Sequence, residues 1–235
     1  MGLKQDIDNL KYWNEIPFVI REQTLKSLKK IKLLTPDFAN AKTAKNAQFS
    51  QYESYILHLS PADIAFKFLN RNGTLCPMAS QGCMAACLNT AGRGRFNSIQ
   101  ESRLRKTLYY ILFRDEFMSH LEKEIGKLEL KAIKNGKRLV VRLNGTSDIQ
   151  WENIKLGQTG LNIFQRFDMV QFYDYTKIVR RLEKGLPSNY YIIFSASESN
   201  DSDWNKALSL GFNVAMVFSK IPDQYNNVTV LNGDT

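Results

Sequence analysis

The feature that most constrains the fold of this chain is a series of short apolar runs after residue 137, each ended by polar residues. The first four lie roughly 20 to 30 residues apart, with helical stretches between several of them. This cadence is typical of β-α units. Some of the runs are almost continuously apolar, which favours parallel strands covered on both faces. The runs read RLVVRLNGTSDI, DMVQFYDYTK, NYYIIFSASES, FNVAMVFSK and VTVLNGDT.

Two further segments extend this pattern toward the N-terminus. Residues 52–59 (YESYILHL) read as a strand that stops at Ser60-Pro61, and residues 99–130 carry apolar side chains at helical spacing, as one long helix or two with a bend. We therefore predict an α/β protein with a mainly parallel sheet, in the form of an open or partial β/α barrel. Residues 1–50 are predicted to be a helical N-terminal flank, and residues 51–235 a single α/β domain.

Polar residues cluster where the predicted strands end. In parallel β/α folds the carboxyl ends of the strands meet at one edge, where loops carry the chemistry. The tyrosines there could stack on an adenine or another base, and the lysine could pair with a carboxylate or a phosphate. Helix caps and turns recruit the same residue types, so each position also has a purely structural interpretation. The predicted ligand-binding residues are Asn144, Ser147, Asp148, Tyr173, Lys177, Ser195, Ser197 and Glu198, with Tyr175 and residues 232–234 at the same edge.

All three cysteines of the chain lie in the glycine-rich segment 72–96. Cys83 and Cys87 are four residues apart and would project from one face of a helix. Cys76 would approach from a loop, because Pro77 and the glycine at 82 disfavour a continuous helix. The segment follows the predicted strand at 52–59, which would place the three thiols at the same edge as the polar residues.

Three interpretations of these thiols are open. Soft sulfur ligands favour an iron–sulfur cluster or zinc, and a [4Fe-4S] cluster on three cysteines leaves one iron open to an outside ligand such as S-adenosylmethionine. A zinc ion would need a fourth ligand, for which His58 is a candidate. Three reduced, buried thiols are the plain alternative. An odd cysteine count makes a disulfide framework a poor explanation.

Composition narrows the class of protein further. The 235 residues include 32 Lys and Arg against 23 Asp and Glu, a net charge of +9, which favours phosphate-bearing partners through long-range attraction. Arg93 and Arg95, directly after the cysteines, are the predicted phosphate contacts, although a solvated basic face has the same composition. No signal peptide and no membrane-spanning run is apparent. We expect a cytoplasmic protein without a membrane partner.

Seven segments together resemble the phage gene-product-88-type domain family. They cover most of the chain from about residue 40, and the cysteine segment with RLNGTSDI is the most specific. The resemblance implies a phage or prophage origin, hence the host cell cytoplasm, and a host protein is one candidate partner. The matching segments are LSPA (59–62), CPMASQGCMAACLNTAGRG (76–94), RLNGTSDIQWE (142–152), VQFYDYTK (170–177), FSASESN (194–200), NVAMVF (213–218) and NGD (232–234).

A looser resemblance is to the radical S-adenosylmethionine enzymes, in which three cysteines follow the first strand of a partial β/α barrel. Their spacing, C-x3-C-x2-C, differs from C-x6-C-x3-C in this chain. From the three-cysteine donor set and this looser resemblance we expect an iron–sulfur enzyme, similar to the radical S-adenosylmethionine enzymes, that acts on a nucleotide or nucleic acid. The gene-product-88 resemblance brings no activity or cofactor of its own. The alternatives are a non-catalytic, metal-stabilised protein that binds nucleic acid or a host protein, and a metal-free enzyme that uses the strand-end carboxylates and lysine as acid and base.

Overall fold

The N-terminal part of the computed structural model consists of two helices and a short strand. The structure describes residues 2–36, 51–157 and 159–233. Helix α1 spans Leu3–Lys11, α2 spans Phe18–Leu28, and strand β1 spans Leu34–Pro36. Pro17 stands at the N-cap of α2, where its missing N–H costs no hydrogen bond.

The remaining elements alternate between strands and helices, as the cadence of apolar runs predicts. Short 3-10 helices at Gly92–Arg95 and Trp151–Asn153 accompany them. The order is β2 (Tyr52–Leu57), α3 (Ile64–Phe68), α4 (Gln81–Ala85), α5 (Asn97–Leu112), α6 (Arg114–Lys134), β3 (Arg138–Arg142), α7 (Ile163–Arg166), β4 (Gln171–Thr176), α8 (Arg180–Glu183), β5 (Tyr190–Ser195), α9 (Asp201–Ser209), β6 (Val214–Ala215), β7 (Gln224–Tyr225) and β8 (Val228–Thr229).

Six strands form one sheet in the order β1-β2-β3-β4-β5-β6. Strand β1 is antiparallel to β2, and all the other neighbours are parallel. This confirms the predicted mainly parallel α/β sheet. The strands at its two edges, β1 and β6, pair with no further strand in the described part of the chain, so the sheet is open and no closed barrel forms.

Sequential strand order determines where the helices lie. Parallel crossovers are right-handed in nearly all proteins. In this sheet each new parallel strand is added beside the preceding one in the same direction, so every crossover helix is expected on the same face. The burial of β4 follows this rule, because Phe172, Asp174 and Thr176 are buried whereas the alternate residues are half-exposed. We call the two sides the helix-covered face and the open face. The expectation of cover on both faces stays a prediction for the second side, whose residues are half-exposed on β4 but buried at Ile56 of β2.

The long helical section 99–130 is two helices with a break at Phe113, whose φ of −136° and ψ of 61° are not helical. Tyr109 and Tyr110 of α5 contact the Phe117 ring of α6 edge-on, with centroids 5.4 and 5.3 Å apart. These aromatic contacts fix the two helices against each other on the helix-covered face. Helix α6 ends with basic residues in its last turn, followed by Gly136 at φ +65°, a usual helix terminator.

The N-terminal residues share the core of the sheet. Ile7, Leu10 and Leu28 are buried in the same hydrophobic cluster as the strands. Leu34 of β1 pairs with Leu57 of β2. The predicted boundary at residue 50 lies outside the described residues, but residues 2–36 pack as part of the α/β unit.

The last predicted strand does not belong to the main sheet. Val228–Thr229 pairs antiparallel with Gln224–Tyr225 in a separate two-stranded hairpin. Its turn residues Asn226 and Asn227 have φ of 50° and 61°, as a tight I′ hairpin turn requires. The prediction that residues 232–234 follow a strand of the main sheet is therefore wrong, and residue 234 itself lies outside the described residues.

Candidate functional site

The first cysteine of segment 72–96 is tied to the end of strand β3. The Cys76 sulfur accepts a hydrogen bond from the Ala62 N–H at 3.3 Å, and its thiol points to the Thr146 carbonyl oxygen at 3.8 Å. Thr146 lies four residues beyond the last residue of β3, at the carboxyl edge of the sheet. The predicted position of Cys76 at this edge is thus observed.

The second cysteine is held by a contact to the end of β5. The Ser80 hydroxyl oxygen caps helix α4 by accepting the Cys83 N–H, and the same hydroxyl donates to Glu198 Oε2 at 2.9 Å. Glu198 Oε1 accepts the Gly82 N–H at 2.8 Å. A Cβ at Gly82 would come within 2.8 Å of that oxygen, so a larger residue there would require the Glu198 side chain to shift. These bonds, the one from Gly82 first, lower the pKa of Glu198.

The three thiols are half-buried and lie within electrostatic reach of one another. Burial raises the pKa of Cys76 to about 11, and the negative charges of Asp148, Cys87 and Cys83 act in the same direction. The Cys87 sulfur accepts the Asn89 N–H at 3.5 Å. An N–H donor therefore reaches the sulfur of Cys76 and of Cys87, an arrangement that stabilises thiolate ligands.

A compact site for a single metal ion is not formed by the described residues: no group of three or more His, Cys, Asp or Glu side chains in that part of the chain is arranged to hold an ion. A zinc ion needs its sulfur ligands within about 4 Å of one another, since each Zn–S bond is about 2.3 Å long. In a [4Fe-4S] cluster each cysteine binds a different iron, which sets the sulfurs further apart. Three cysteines are a donor set that soft metal centres use, and a [4Fe-4S] cluster on them stays a prediction.

A lysine and a serine lie beside this segment. The Lys177 Nζ donates to the Ser195 hydroxyl at 2.6 Å, and the positive charge of Lys177 contributes to the lowered pKa of Glu198. The Lys177 N–H donates to Asp148 Oδ2 at 2.9 Å. The structure therefore brings Lys177, Ser195 and Glu198 together with the cysteines at one edge.

Other predicted ligand-binding residues use their polar atoms inside the protein. Asn144 is 1% exposed, and its amide donates to the Ile149 carbonyl and to Asp174. Its Oδ1 accepts from Ser147 Oγ, Ile149 N and Trp151 Nε1. This is the turn-forming role that the structural interpretation anticipates, and ligand binding by Asn144 and Ser147 stays a prediction. Ser197 is half-buried, and its N–H donates to Asn200 Oδ1 at 2.8 Å, just before α9.

A buried ionic network below the edge was not anticipated. The Arg181 side chain donates to both carboxylate oxygens of Glu152, each at 2.8 Å, to Asp148 at 2.9 Å and to the Tyr190 hydroxyl at 2.8 Å. Tyr190 in turn donates to Asp174. The residues of this network lie far apart in the sequence: Arg181, for example, is 29 residues from Glu152. No local sequence pattern connects them.

The burial of Asp174 gives this network an unusual charge state. Burial raises the pKa of Asp174 to about 7, against the opposing effects of Arg142, the Asn144 N–H, Arg181 and Tyr190. A carboxyl group with such a pKa is half-protonated near neutral pH. Asp174 therefore titrates in the range where most proteins work.

The basic residues that follow the cysteines divide into exposed and buried groups. Arg93 and Arg95 are exposed in the 3-10 helix, where contact with phosphate remains a prediction. Arg103 is buried and donates to Asn89 Oδ1 at 2.8 Å, and Lys106 is buried and donates to the Leu33 carbonyl at 2.8 Å. Burial lowers the pKa of Lys106 to about 8. Only part of the basic run is therefore a solvated face.

His58, the candidate fourth zinc ligand, lies directly after β2. Burial lowers its pKa to about 3, and the positive charges of Arg103, Lys106 and Arg142 add to this. Its Nδ1 is buried without a hydrogen-bond partner. Gly145 packs so closely that a Cβ there would lie 2.6 Å from that nitrogen. The imidazole is therefore neutral, and Gly145 occupies the space beside it.

These observations define a class: an α/β protein with an open, mainly parallel sheet that carries a three-cysteine segment at its carboxyl edge. The chain belongs to the gene product 88 family, whose model matches residues 28–235. The resemblance to this family is confirmed. Searches of curated proteins and of solved structures gave no significant match, and the likeness to radical S-adenosylmethionine enzymes stays a prediction. None of the helices in the described ranges combines the length with the apolar composition of a membrane span.

Proposed function

We propose that this gene product 88 protein is an iron–sulfur enzyme of the phage programme that acts on a nucleotide or nucleic acid in the host cytoplasm. Cys76, Cys83 and Cys87 would hold a [4Fe-4S] cluster. The observation that carries the proposal is that Cys76 is hydrogen-bonded at the carboxyl edge of the parallel sheet, and that Glu198, after β5, contacts the helix of Cys83 at the same edge. Parallel β/α proteins bind ligands at this edge.

When bound, such a cluster would supply an open iron that takes an amino-carboxylate ligand such as S-adenosylmethionine, together with one-electron chemistry. The chain's own residues provide the surroundings. Lys177 would contact a carboxylate after exchange of its hydrogen bond with Ser195. Glu198, whose two oxygens can each accept more than one hydrogen bond, would accept from a cationic amino group while it keeps its bonds from Ser80 and Gly82. Arg93 and Arg95 would hold phosphate. In this arrangement Asn144 and Ser147 keep their buried hydrogen bonds.

The proposal is tested by anaerobic purification of the full chain, with iron, sulfide and zinc analysis and a visible absorption spectrum. We expect stoichiometric iron and sulfide in the wild-type protein and loss of most of it in Cys83→Ala. Met84→Ala is the matched control, because Met84 is an exposed neighbour on the same helix. A colourless protein without iron, or equal iron in Cys83→Ala, would contradict the cluster.

A second test separates an enzyme from a structural cluster protein. Addition of S-adenosylmethionine to the reduced protein should change its electron paramagnetic resonance spectrum, because the ligand binds the open iron. The change should weaken in Lys177→Ala and persist in Lys184→Ala, an exposed lysine after α8. An unchanged spectrum in the wild-type protein would contradict the enzyme and would favour a purely structural role for the cysteines.

One observation favours that structural alternative. In segment 72–96 only Leu75, Asn89 and Gly94 are buried, so the segment has little core of its own to hold it. A metal that joins three of its side chains would supply the missing cross-links. The protein would then be a non-catalytic, metal-stabilised binding protein. Removal of the metal by a chelator should expose residues 76–87 to protease, and the protein with metal should show no catalytic activity.

A further inference from the structure

We propose that the open face of the sheet binds single-stranded nucleic acid, with bases stacked on its tyrosines and phosphates held by its arginines. The inference deepens the proposed function, because it assigns the nucleic-acid substrate to a surface. It rests on that part of the proposal and does not depend on the cluster.

The open face is defined by strand register. Tyr52 pairs with Arg138, Ser54 with Val140 and Ile56 with Arg142 between β2 and β3, and these residues alternate with the buried positions Leu139 and Val141. Register then carries the same face across β4 and β5. Its side chains on the four strands are Tyr52, Ser54, Ile56, Arg138, Val140, Arg142, Gln171, Tyr173, Tyr175, Tyr191, Ile193 and Ser195.

The charge of this face has one sign. Arg138 and Arg142 are its charged side chains on β2 to β5, whereas Glu53 and Asp174 of the same strands belong to the helix-covered face. Glu53 there contacts Lys131 of α6. The Arg142 Nε lies 3.8 Å from Asp174 Oδ1, so the exposed Arg138 is the main candidate for a phosphate contact. The net charge of +9 adds a long-range attraction.

The tyrosines are spaced as a stacking platform. Tyr173 and Tyr191 are register partners on neighbouring strands, which lie about 4.8 Å apart. Tyr175 follows Tyr173 on the same face, about 6.6 Å further along the strand. The Arg142 guanidinium lies over the Tyr175 ring, 4.8 Å from its centroid. Planar aromatic and guanidinium groups on a basic surface are the means by which proteins bind unpaired bases.

A single strand fits this face better than a duplex or an apolar partner. Bases in a duplex are stacked on each other and do not expose their faces to protein side chains. An apolar partner would need a hydrophobic patch, but Ile56 is buried and the remaining aliphatic side chains, Val140 and Ile193, are separated by β4. The carboxyl end of the face leads to Lys177 and Ser195, so a strand bound there would extend toward the cysteines.

The test measures binding of fluorescently labelled oligothymidylate and oligouridylate to the full chain by anisotropy, with iron measured in the same samples. Tyr191→Leu removes an aromatic ring that is 46% exposed and should weaken binding by about 5- to 150-fold, the loss of one base stack. Tyr191→Phe keeps the ring and should retain binding. Tyr12→Leu, a ring 48% exposed on the helical N-terminal part, is the matched control.

The phosphate contact of Arg138 is tested through the salt dependence of oligonucleotide binding. Arg138→Ala should reduce the slope of log K against log salt by about 0.7, the value of one phosphate contact to a single strand. Arg180→Ala, an exposed arginine of α8, should leave the slope unchanged. Equal binding by wild type, Tyr191→Leu and Arg138→Ala would overturn the proposal, as would no binding by the wild type, whether or not the samples contain iron. If Tyr191→Leu turns a dimer into a monomer and leaves oligonucleotide binding unchanged, a second copy occupies the face and the proposal is wrong.

Discussion

At the scale of single residues, close packing at the carboxyl edge depends on Gly145. Its N–H donates to the Leu57 carbonyl, and a Cβ would lie 2.6 Å from His58 Nδ1, 2.6 Å from Ile56 Cγ2 and 2.7 Å from that carbonyl oxygen. A backbone oxygen cannot move aside as a flexible side chain can. The sequence presents the Asn144-Gly145 pair only as a turn signal.

Gly145→Ala should therefore destabilise the protein by about 1–3 kcal/mol, as overpacking of a core does. Gly126→Ala is the matched control, because a Cβ there meets Phe167 at an ordinary 3.7 Å and the helix gains about 0.5–1 kcal/mol. Urea denaturation of both variants measures the difference. Equal stability of Gly145→Ala and wild type would show that the contact relaxes without cost.

Asp174 gives a prediction about pH. Its pKa is raised from 3.8 to about 7 in the folded protein, so the folded state binds the proton more tightly than the unfolded state. The stabilisation from this group is complete below about pH 4 and is lost as the pH rises through about 7, at no more than about 1.4 kcal/mol per pH unit.

Asp174→Asn should remove this dependence. The free energy of unfolding of wild type minus that of the variant should fall between pH 4 and 7 and level off above. The comparison with the variant is needed because His58, with a pKa lowered from 6.5 to about 3, acts in the opposite sense: its contribution is lost as the pH falls. Asp168→Asn, at an exposed position, serves as the control. A difference that stays constant with pH would show that Asp174 does not titrate in this range.

At the scale of elements, helix α4 is attached to the sheet through a side chain rather than through a core. None of its five residues is buried. Glu198 accepts from both Ser80 and Gly82, 118 and 116 residues away. The orientation of the helix that carries Cys83 therefore depends on one exposed carboxylate.

Glu198→Ala should loosen this helix. Amide hydrogen exchange at Gly82 and Cys83 should become faster, with little change in the core strands, because local opening needs only these bonds to break. Glu183→Ala, which removes an exposed carboxylate paired with Lys206, should leave exchange in α4 unchanged. Mass spectrometry of deuterated peptides measures both, and slow exchange in Glu198→Ala would show that the helix is held by other contacts.

At the scale of the whole molecule, the N-terminal part completes the core and the edge of the sheet. The Glu124 carboxylate of α6 accepts the N–H groups of Leu33 and Leu34, each at 2.9 Å. Asp6 of α1 pairs with Arg105 of α5 at 2.7 Å. These contacts join residues separated by about a hundred positions in the sequence, and they leave the predicted flank without a separate core.

A chain that begins at residue 51 should consequently fail to fold. It would expose Leu57 and the face of α5 that α1 covers, and a remaining domain must bury its apolar surface to offset the entropy of ordering. Circular dichroism and thermal denaturation of the truncated and full chains measure this. A cooperative transition in the truncated chain would show that residues 51–235 form an independent domain.

The sequence by itself determined the type and order of most elements and the placement of the cysteines at the carboxyl edge. This is so because apolar periodicity and turn residues act locally, and because parallel β-α units bring successive loops to one edge. Only the tertiary structure decided that Leu34–Pro36 belongs to the main sheet, that Val228–Thr229 forms a separate hairpin, and that Asn144 makes its hydrogen bonds inside the protein. It also decided that the fully buried side chains of β3, β4 and β5 share one face and that Tyr and Arg side chains line the other. Those outcomes depend on which distant groups meet, and a periodic pattern does not encode the partner of a side chain a hundred residues away.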